Sequence, residues 1–377
     1  MTDTSPTLPI GGLRVHLVDL PVRSVRKHGI GSFSRALNVI VELRAEGGLV
    51  GWGEACPWPA FTGTAEAAAA ALDIHFRPHL VGADGFCTAA LMARLDKVAV
   101  GATEAKAAVE TALLDLKAKA LGVPLYDLLG GARCRRIPLS VSLADSELDK
   151  DLALAEACLA DGIKIFKVKT GFADHSFDIE RLEALRHRFG MKIDLRIDYN
   201  QGLHPSDALA KVRDLEAFRP SFIEQPVPAA QREALAAIAR ALDTPIMADE
   251  SVFSPEDALR AAKDRIADLF SVKLQKAGGF TRALEIAAIA QAAGIGLYGG
   301  SMFEAGVANL AGAHMMAVLP EARYGCEYYT ASRYLTADIL TAAFPIEAGE
   351  VVVPAAPGLG IEVDPDRLAH HSLESRG

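Results

Sequence analysis

Five apolar runs in the middle of this chain end in side chains that can move a proton or hold a cation. Ile165–Lys169 carries Lys167 and Lys169, Ile193–Asp198 ends in Asp198, and Phe222–Glu224 ends in Glu224. Pro245–Asp249 ends in Asp249, with Glu250 next to it, and Leu269–Lys273 ends in Lys273. Residues two apart on a strand share a face, so Lys167 and Lys169 project together, as do Asp198 and Asn200. Paired ammoniums need an anion beside them, and three converging carboxylates raise one another's pKa. A hard divalent cation, Mg2+ or Mn2+, relieves the second conflict because it prefers carboxylate oxygens. Lysines on both sides of such a cation suit one task, the removal or addition of a proton on the carbon next to a carboxylate. The cation offsets the developing charge and Lys169 acts as base. Each feature has an ordinary reading: a strand-end acid commonly caps a helix, and Lys-x-Lys commonly marks a solvated face. It is their order along five successive runs that points to a site.

Those runs belong to a longer series. Ile137–Val141, Ile295–Gly299 and Arg323–Glu327 complete a set of eight, with starts 28, 28, 29, 23, 24, 26 and 28 residues apart. Amphipathic stretches separate them, and strand–helix alternation at this spacing predicts a (β/α)8-type barrel. In a barrel the C-terminal ends of the strands converge on one mouth, where active sites lie. The alternative is an open doubly wound sheet, but no Gly-x-Gly-x-x-Gly follows the first run to support it. Before the series, Leu13–Leu20, Asn38–Arg44 and Leu49–Glu54 read as strands, the last two as a hairpin around Glu46-Gly47-Gly48. Helices are expected over Thr64–Phe76, stopping before Pro78, and over Thr103–Leu121, ending at Gly122. After about Ala342 the alternation ceases. Val351-Val352-Val353 and Ile361-Glu362-Val363 read as short strands of a tail that returns to the N-terminal segment.

Composition sets limits. Half the residues are hydrophobic and 23% are charged, so the chain is globular rather than disordered. The net charge of −9 argues against nucleic-acid binding. Five cysteines without a Cys-x-x-Cys spacing, and an N-terminus lacking the features of a signal peptide, predict a cytoplasmic protein. The most apolar stretches are too short to span a bilayer, so no membrane partner is expected.

The same strings resemble the enolase superfamily, and within it the muconate lactonizing enzyme (muconate cycloisomerase) subgroup. The resemblance rests on Phe166-Lys167-Val168-Lys169, Asp198-Tyr199-Asn200-Gln201, Ile223-Glu224-Gln225-Pro226, Met247-Ala248-Asp249-Glu250-Ser251 and Val272-Lys273-Leu274-Gln275-Lys276-Ala277-Gly278-Gly279. Gly296–Met302, Cys326-Glu327, Gly51-Trp52-Gly53-Glu54, Leu128–Gly131 and Pro357–Gly360 extend it over nearly the whole chain. These motifs are specific for the subgroup and much less so for substrate.

The resemblance implies an α/β fold: a modified TIM barrel, (β/α)7β, over 136–341. An α+β capping domain would be formed by 1–135 and the tail 342–377. It implies Mg2+ or Mn2+ on Asp198, Glu224 and Asp249, and Lys169 as acid/base on one face of the substrate. Lys273 would be partner or second acid/base on the other face. Lys167 would tune Lys169, Asn200 and Glu250 would stand behind the metal ligands, and Glu327 would bind substrate or order the site. Arg23, Arg26, Lys27 and His28 in the first loop suggest an anionic substrate, a small-molecule carboxylate. Arg23, His28, Trp58, Phe61, Ser301 and Met302 are the candidate substrate contacts. A homo-oligomer, as an octamer, is the family expectation.

The favoured reaction is cycloisomerisation of cis,cis-muconate or a related unsaturated dicarboxylate to a lactone. The alternatives are racemisation or epimerisation of N-acyl amino acids or dipeptides, an o-succinylbenzoate synthase-like reaction, and dehydration of a hydroxy or imino acid. Dipeptide epimerases usually carry Asp-x-Asp where this chain has Cys326-Glu327-Tyr328, which counts against that branch. The loop Ala55–Gly63 departs from the Gly-Gly, Tyr-bearing segment usual in muconate cycloisomerases, which leaves the substrate open. A non-catalytic relative is a further reading, disfavoured by the complete set of lysines and carboxylates.

Overall fold

The computed structural model describes residues 6–320 and 323–377. Residues 1–5 of the expected capping segment, and Glu321 and Ala322 of the expected barrel segment, lie outside the described residues. The chain opens with β1 (Ile10–Leu20), a small ribbon of β2 (Arg26–His28) and β3 (Gly31–Phe33), and a hairpin of β4 (Ala36–Ala45) and β5 (Val50–Ala55). The strand expectations for this segment hold, with β1 three residues longer at its start.

One helix, Thr103–Leu121, covers the β4–β5 face. It approaches so closely that a Cβ on Gly53 would stand 1.9 Å from the Ala108 carbonyl, and one on Gly51 2.1 Å from that of Ala112. The Gly-Trp-Gly-Glu string is therefore a packing requirement: only glycine lets helix and strand meet at this distance.

Two helical expectations change. The first helix does not stop before Pro78: it runs from Ala65, widens into a π-turn over Ala71–Phe76 and continues to Leu80. Pro78 falls in the first turn of the last segment, where the missing N–H costs little. A further helix, Thr88–Val98, had not been expected.

Next come β6 (Arg136–Pro138), β7 (Ser140–Leu143), β8 (Ile165–Lys169), β9 (Asp194–Asp198), β10 (Ile223–Glu224), β11 (Ile246–Ala248), β12 (Leu269–Val272) and β13 (Gly296–Gly299). β7 to β13 form a seven-stranded parallel sheet in sequence order, with helices between them. The run Ile137–Val141 is split: β6 leaves the barrel and only β7 belongs to it. The eighth run, Arg323–Glu327, is not a strand. Cys326 alone bridges Gly299 on one side and Leu139 on the other, both in parallel sense. Gly325 at φ +68° turns the chain there, and a Cβ on it would meet the Pro138 carbonyl at 2.1 Å. That one residue joins the two edges of the sheet, giving the modified barrel.

The tail contributes β14 (Ile346–Glu347), β15 (Glu350–Val352) and β16 (Ser372–Arg376). β15 pairs with β6, and β16 runs antiparallel beside β1, so the end of the chain does return to the N-terminal sheet. The expected strand at Ile361–Val363 reduces to a single bridge between Leu340 and Val363.

The cap is latched to the barrel by Glu54. Its buried carboxylate accepts the N–H groups of Ala305 (2.7 Å) and Ala308 (2.8 Å), at the start of the barrel helix Gly306–Val318. Asn38 adds a third bond at 2.7 Å. A carboxylate at a helix N-terminus satisfies otherwise unpaired donors.

Candidate active site

Parallel register brings the chemistry to one level. Lys169 pairs with Asp198, and Asp198 with Glu224, across three neighbouring strands. Asp249 and Glu250 follow the end of β11, and Lys273 follows β12. Ser301 and Met302 follow β13, and Glu327 follows the Cys326 bridge. All these side chains are buried.

The lysines and carboxylates are interleaved. Lys167 Nζ lies 2.7 Å from Glu224 Oε2, 2.7 Å from Glu327 Oε2 and 3.3 Å from Asp198 Oδ2. Lys169 Nζ lies 2.5 Å from Asp198 Oδ2 and donates to Asn200 Oδ1 at 3.0 Å. Asp249 is shared, Oδ2 by Lys273 and Oδ1 by Lys276, each at 2.6 Å. Asn200 also donates to Glu250 Oε1 at 3.2 Å.

Electrostatics follow from this layout. Burial works against the Lys167 ammonium, but Glu224, Glu327 and Asp198 outweigh it and hold its pKa well above the usual lysine range. Lys167 is thus a fixed cation. Burial would raise Asp198, but Lys169 and Lys167 keep it below the usual carboxylate range. Lys273 and Lys276 likewise overcome burial at Asp249. Glu224 goes the other way: burial, and then Asp198, push it well up. Burial and Asp249 lift Glu250 to about 8. Carboxyls with opposed shifts side by side mark a site short of positive charge.

Lysine ammoniums occupy many of the carboxylate oxygens, and among the described residues no three acidic, imidazole or thiol groups are drawn round one point. The donor set nevertheless fits a hard divalent cation. Asp198, Glu224 and Asp249 are all oxygen donors, and the buried Oε1 of Glu224 and Oε2 of Glu250 have no hydrogen-bond partner.

A cavity opens on this cluster, with about 400 Å³ of non-atom space when its open mouth is included. Lys169, Lys273, Asn200, Asp249, Glu250 and Glu327 line its polar end. Five of the six candidate substrate contacts, His28, Trp58 and Phe61 from the cap and Ser301 and Met302 from the barrel, also line it. Lys167, Asp198 and Glu224 do not line it: Asp198 bonds Lys169 and Lys167 bonds Glu327, both in the lining, and Glu224 bonds Lys167. Arg23 is not brought to this cavity: its side chain is exposed and its backbone N–H donates to the Tyr334 carbonyl. The inward arginine of that loop is Arg26, which bonds the Ser142 carbonyl and lies over the Tyr334 ring. Burial, and then Lys169, hold His28 well below the usual imidazole range, so it is neutral. The cap end of the cavity therefore presents no loop cation.

Sequence reasoning missed the roles of several residues. Phe303 stacks on Phe33 at 3.5 Å between ring centroids and walls the cap end, and Ser142 and Tyr329 also line the cavity. Lys276 and Gln225 stood inside the quoted motifs without a role. Spacing offered a hint for Lys276, three residues after Lys273 and hence one helical turn away.

Comparison with known proteins agrees with this geometry. Residues 14–130 match the family described as mandelate racemase / muconate lactonizing enzyme, N-terminal domain, and residues 150–367 match the enolase C-terminal domain-like family. The chain belongs to the mandelate racemase / muconate lactonizing enzyme family. Members of this family are metal-dependent. Among relatives, muconate cycloisomerase 1 of Acinetobacter baylyi is 34% identical over 93% of this chain and 96% of its own. A chloromuconate cycloisomerase of Cupriavidus necator is 35% identical over 97% and 99%. A muconate lactonizing enzyme from Pseudomonas fluorescens, solved with muconolactone, superposes with a TM-score of 0.94 at 33% identity, covering 97% of this chain and 100% of that one. A muconate cycloisomerase structure from Azorhizobium caulinodans gives 0.86 at 44% identity, covering 98% and 99%. Among the described residues no helix is long and apolar enough to cross a membrane.

Proposed function

We propose that this family member converts cis,cis-muconate, or a related unsaturated dicarboxylate, to a lactone. The observation that carries the reading is the pair Lys169 and Lys273, which line one cavity at either end of the carboxylate row. Asp198, Glu224 and Asp249 would hold Mg2+ or Mn2+, with Asn200 and Glu250 behind them. The bound ion supplies the positive charge that offsets the second negative charge developing on a substrate carboxylate.

The residues divide the remaining work. One substrate carboxylate oxygen adds to the carbon β to the other carboxylate, forming the ring C–O bond. The π electron pair moves to the carbon next to the other carboxylate. The Lys169 ammonium gives that carbon a proton and becomes an amine, so muconate gains one proton on conversion. Lys273 faces the opposite end of the row as electrostatic partner. Lys167, held by three carboxylates, keeps a positive charge beside Asp198, the partner of Lys169. Glu327 anchors Lys167, and its Oε1 accepts the Ser301 N–H at 3.2 Å. Trp58, Phe61 and Met302 exclude water, and His28 offers a neutral hydrogen-bonding edge. We assign Arg23 to steering anions from outside, given its exposed place.

A second reading, proton exchange at a chiral carbon by Lys169 and Lys273 together, is favoured by the presence of both lysines in the cavity. The test is a screen of muconates, N-acyl amino acids, dipeptides and hydroxyprolines with Mg2+ or Mn2+. Lactone formation from muconates supports the first reading. Deuterium wash-in to both enantiomers of an amino-acid derivative, without lactone formation, replaces it with the second.

We further propose the division into a cap (1–135 with 342–377) and a barrel (136–341), a cytoplasmic setting and self-association as a homo-oligomer. All five cysteines are unpaired, three of them buried, which supports a reducing compartment. Sedimentation gives the subunit number.

A further inference from the structure

Gln225 follows Glu224 directly and is itself fully buried. Its backbone stands at φ +35°, a left-handed conformation that costs a non-glycine residue energy. Such strain persists only where the surroundings over-determine it. Here the side-chain amide makes four hydrogen bonds. Oε1 accepts the N–H of Asp249 at 3.0 Å and that of Ser251 at 3.2 Å. Nε2 donates to the Val227 carbonyl at 2.9 Å and to Ser251 Oγ at 2.8 Å. That is the full capacity of a primary amide.

The backbone of Gln225 is tied as well. Its N–H donates to the Met247 carbonyl and its carbonyl accepts the Gln201 N–H, at 2.9 and 2.8 Å. Gln201 is left-handed too, at φ +68°, as is Asn200 at φ +41°. The turns after Asp198 and Glu224 thus brace each other, and the Gln225 amide extends the brace to the peptide of Asp249.

We infer that Gln225 is a positioning residue: its amide sets the placement of Asp249 relative to Glu224, and so pre-forms the cation site between three strand ends. The inference rests on the metal reading of the site. It does not depend on which substrate is turned over.

The test is Mn2+ titration of the full chain, reading free Mn2+ by electron paramagnetic resonance, for wild type, Gln225→Met and Gln225→Glu. Methionine keeps the length and loses every amide bond. Glutamate keeps the oxygen that accepts the Asp249 N–H. Gln225→Met should weaken Mn2+ binding about 10- to 100-fold, the usual effect of removing a group that orients a ligand. Gln225→Glu, which keeps the Oε1 bonds but sets its second oxygen against the Val227 carbonyl, should fall between Gln225→Met and wild type. A merely structural role would lower the melting temperature of both variants and leave the Mn2+ affinity of the folded protein unchanged. That outcome overturns the inference. If Gln225→Met does not fold, Gln225→Ala, which admits water to the vacated space, takes its place with the same two readings. A wild-type chain that takes up no divalent cation overturns the metal reading, and this inference with it. A wild type that binds, with Gln225→Met indistinguishable from it, overturns this inference alone.

Discussion

Phe61, from the loop after β5, lies over the ammonium of Lys273, with 5.1 Å between Nζ and the ring centroid. The same ring packs against Phe253 at 5.4 Å, and Phe253 covers Lys276. Lys273 and Lys276 hold the two oxygens of Asp249. A residue of the cap loop is thereby connected to the charge pattern at the barrel mouth.

This contact is worth about 1 kcal/mol, the order of a partly desolvated cation–π pair. Phe61→Leu should therefore lower kcat about fivefold on a turned-over substrate, and Phe61→Trp should restore it. Steady-state kinetics on the two variants check this. Equal kcat for wild type and Phe61→Leu would confine Phe61 to wall-building.

Glu54 makes the latch between cap and barrel pH-dependent. Burial lifts its carboxyl from the ordinary 4.5 to about 7, against the pull of its N–H donors. The folded chain then binds a proton that the unfolded chain releases between those values. This contribution is fully present below pH 4.5 and is lost as pH rises through 7. Glu54→Gln should flatten the dependence of stability on pH in that window. It should also lower stability by about 1–3 kcal/mol, since its NH2 faces the Ala308 donor. Urea denaturation at a series of pH values measures both effects.

Gly53→Ala should be more damaging than its size suggests. The added Cβ meets a helix carbonyl at 1.9 Å, and backbone on both sides resists movement. Overpacking of this kind costs about 3 kcal/mol. The midpoint of denaturant unfolding should fall accordingly, while Gly47→Ala, with open space around it, serves as the control.

Divalent metal should stabilise the fold. At 100 times its Kd, a cation that binds only the native chain adds about 2.7 kcal/mol. Mn2+ should raise the melting temperature by a few degrees and a chelator should reverse it. Asp198→Asn should abolish the difference.

The barrel was legible because strand–helix alternation repeats on a scale local to the chain, and Lys169, Asp198, Glu224, Asp249 and Lys273 were legible because each ends one of those runs. What escaped depended on distant packing. Nothing local to Arg323–Glu327 says that one residue, Cys326, would bridge the sheet edges. Nor does anything near Pro78 announce the π-turn that lets the helix pass it. The orientation of the first loop was equally hidden: its charges were visible, but only the fold turns Arg26 and His28 inward and leaves Arg23 outside. Gln225 and Lys276 act through hydrogen bonds to other strand ends, which spacing does not encode.

Lys169 is assigned the proton transfer in a lactone-forming reaction. The most direct test of that role is turnover of cis,cis-muconate in D2O by metal-loaded wild type and by Lys169→Ala, followed by NMR of the product. Wild type should give lactone carrying one deuterium on the carbon next to the free carboxylate, and folded Lys169→Ala should give no lactone. Lactone formed at the wild-type rate by Lys169→Ala, or muconate left unchanged by the wild type, would contradict the assignment.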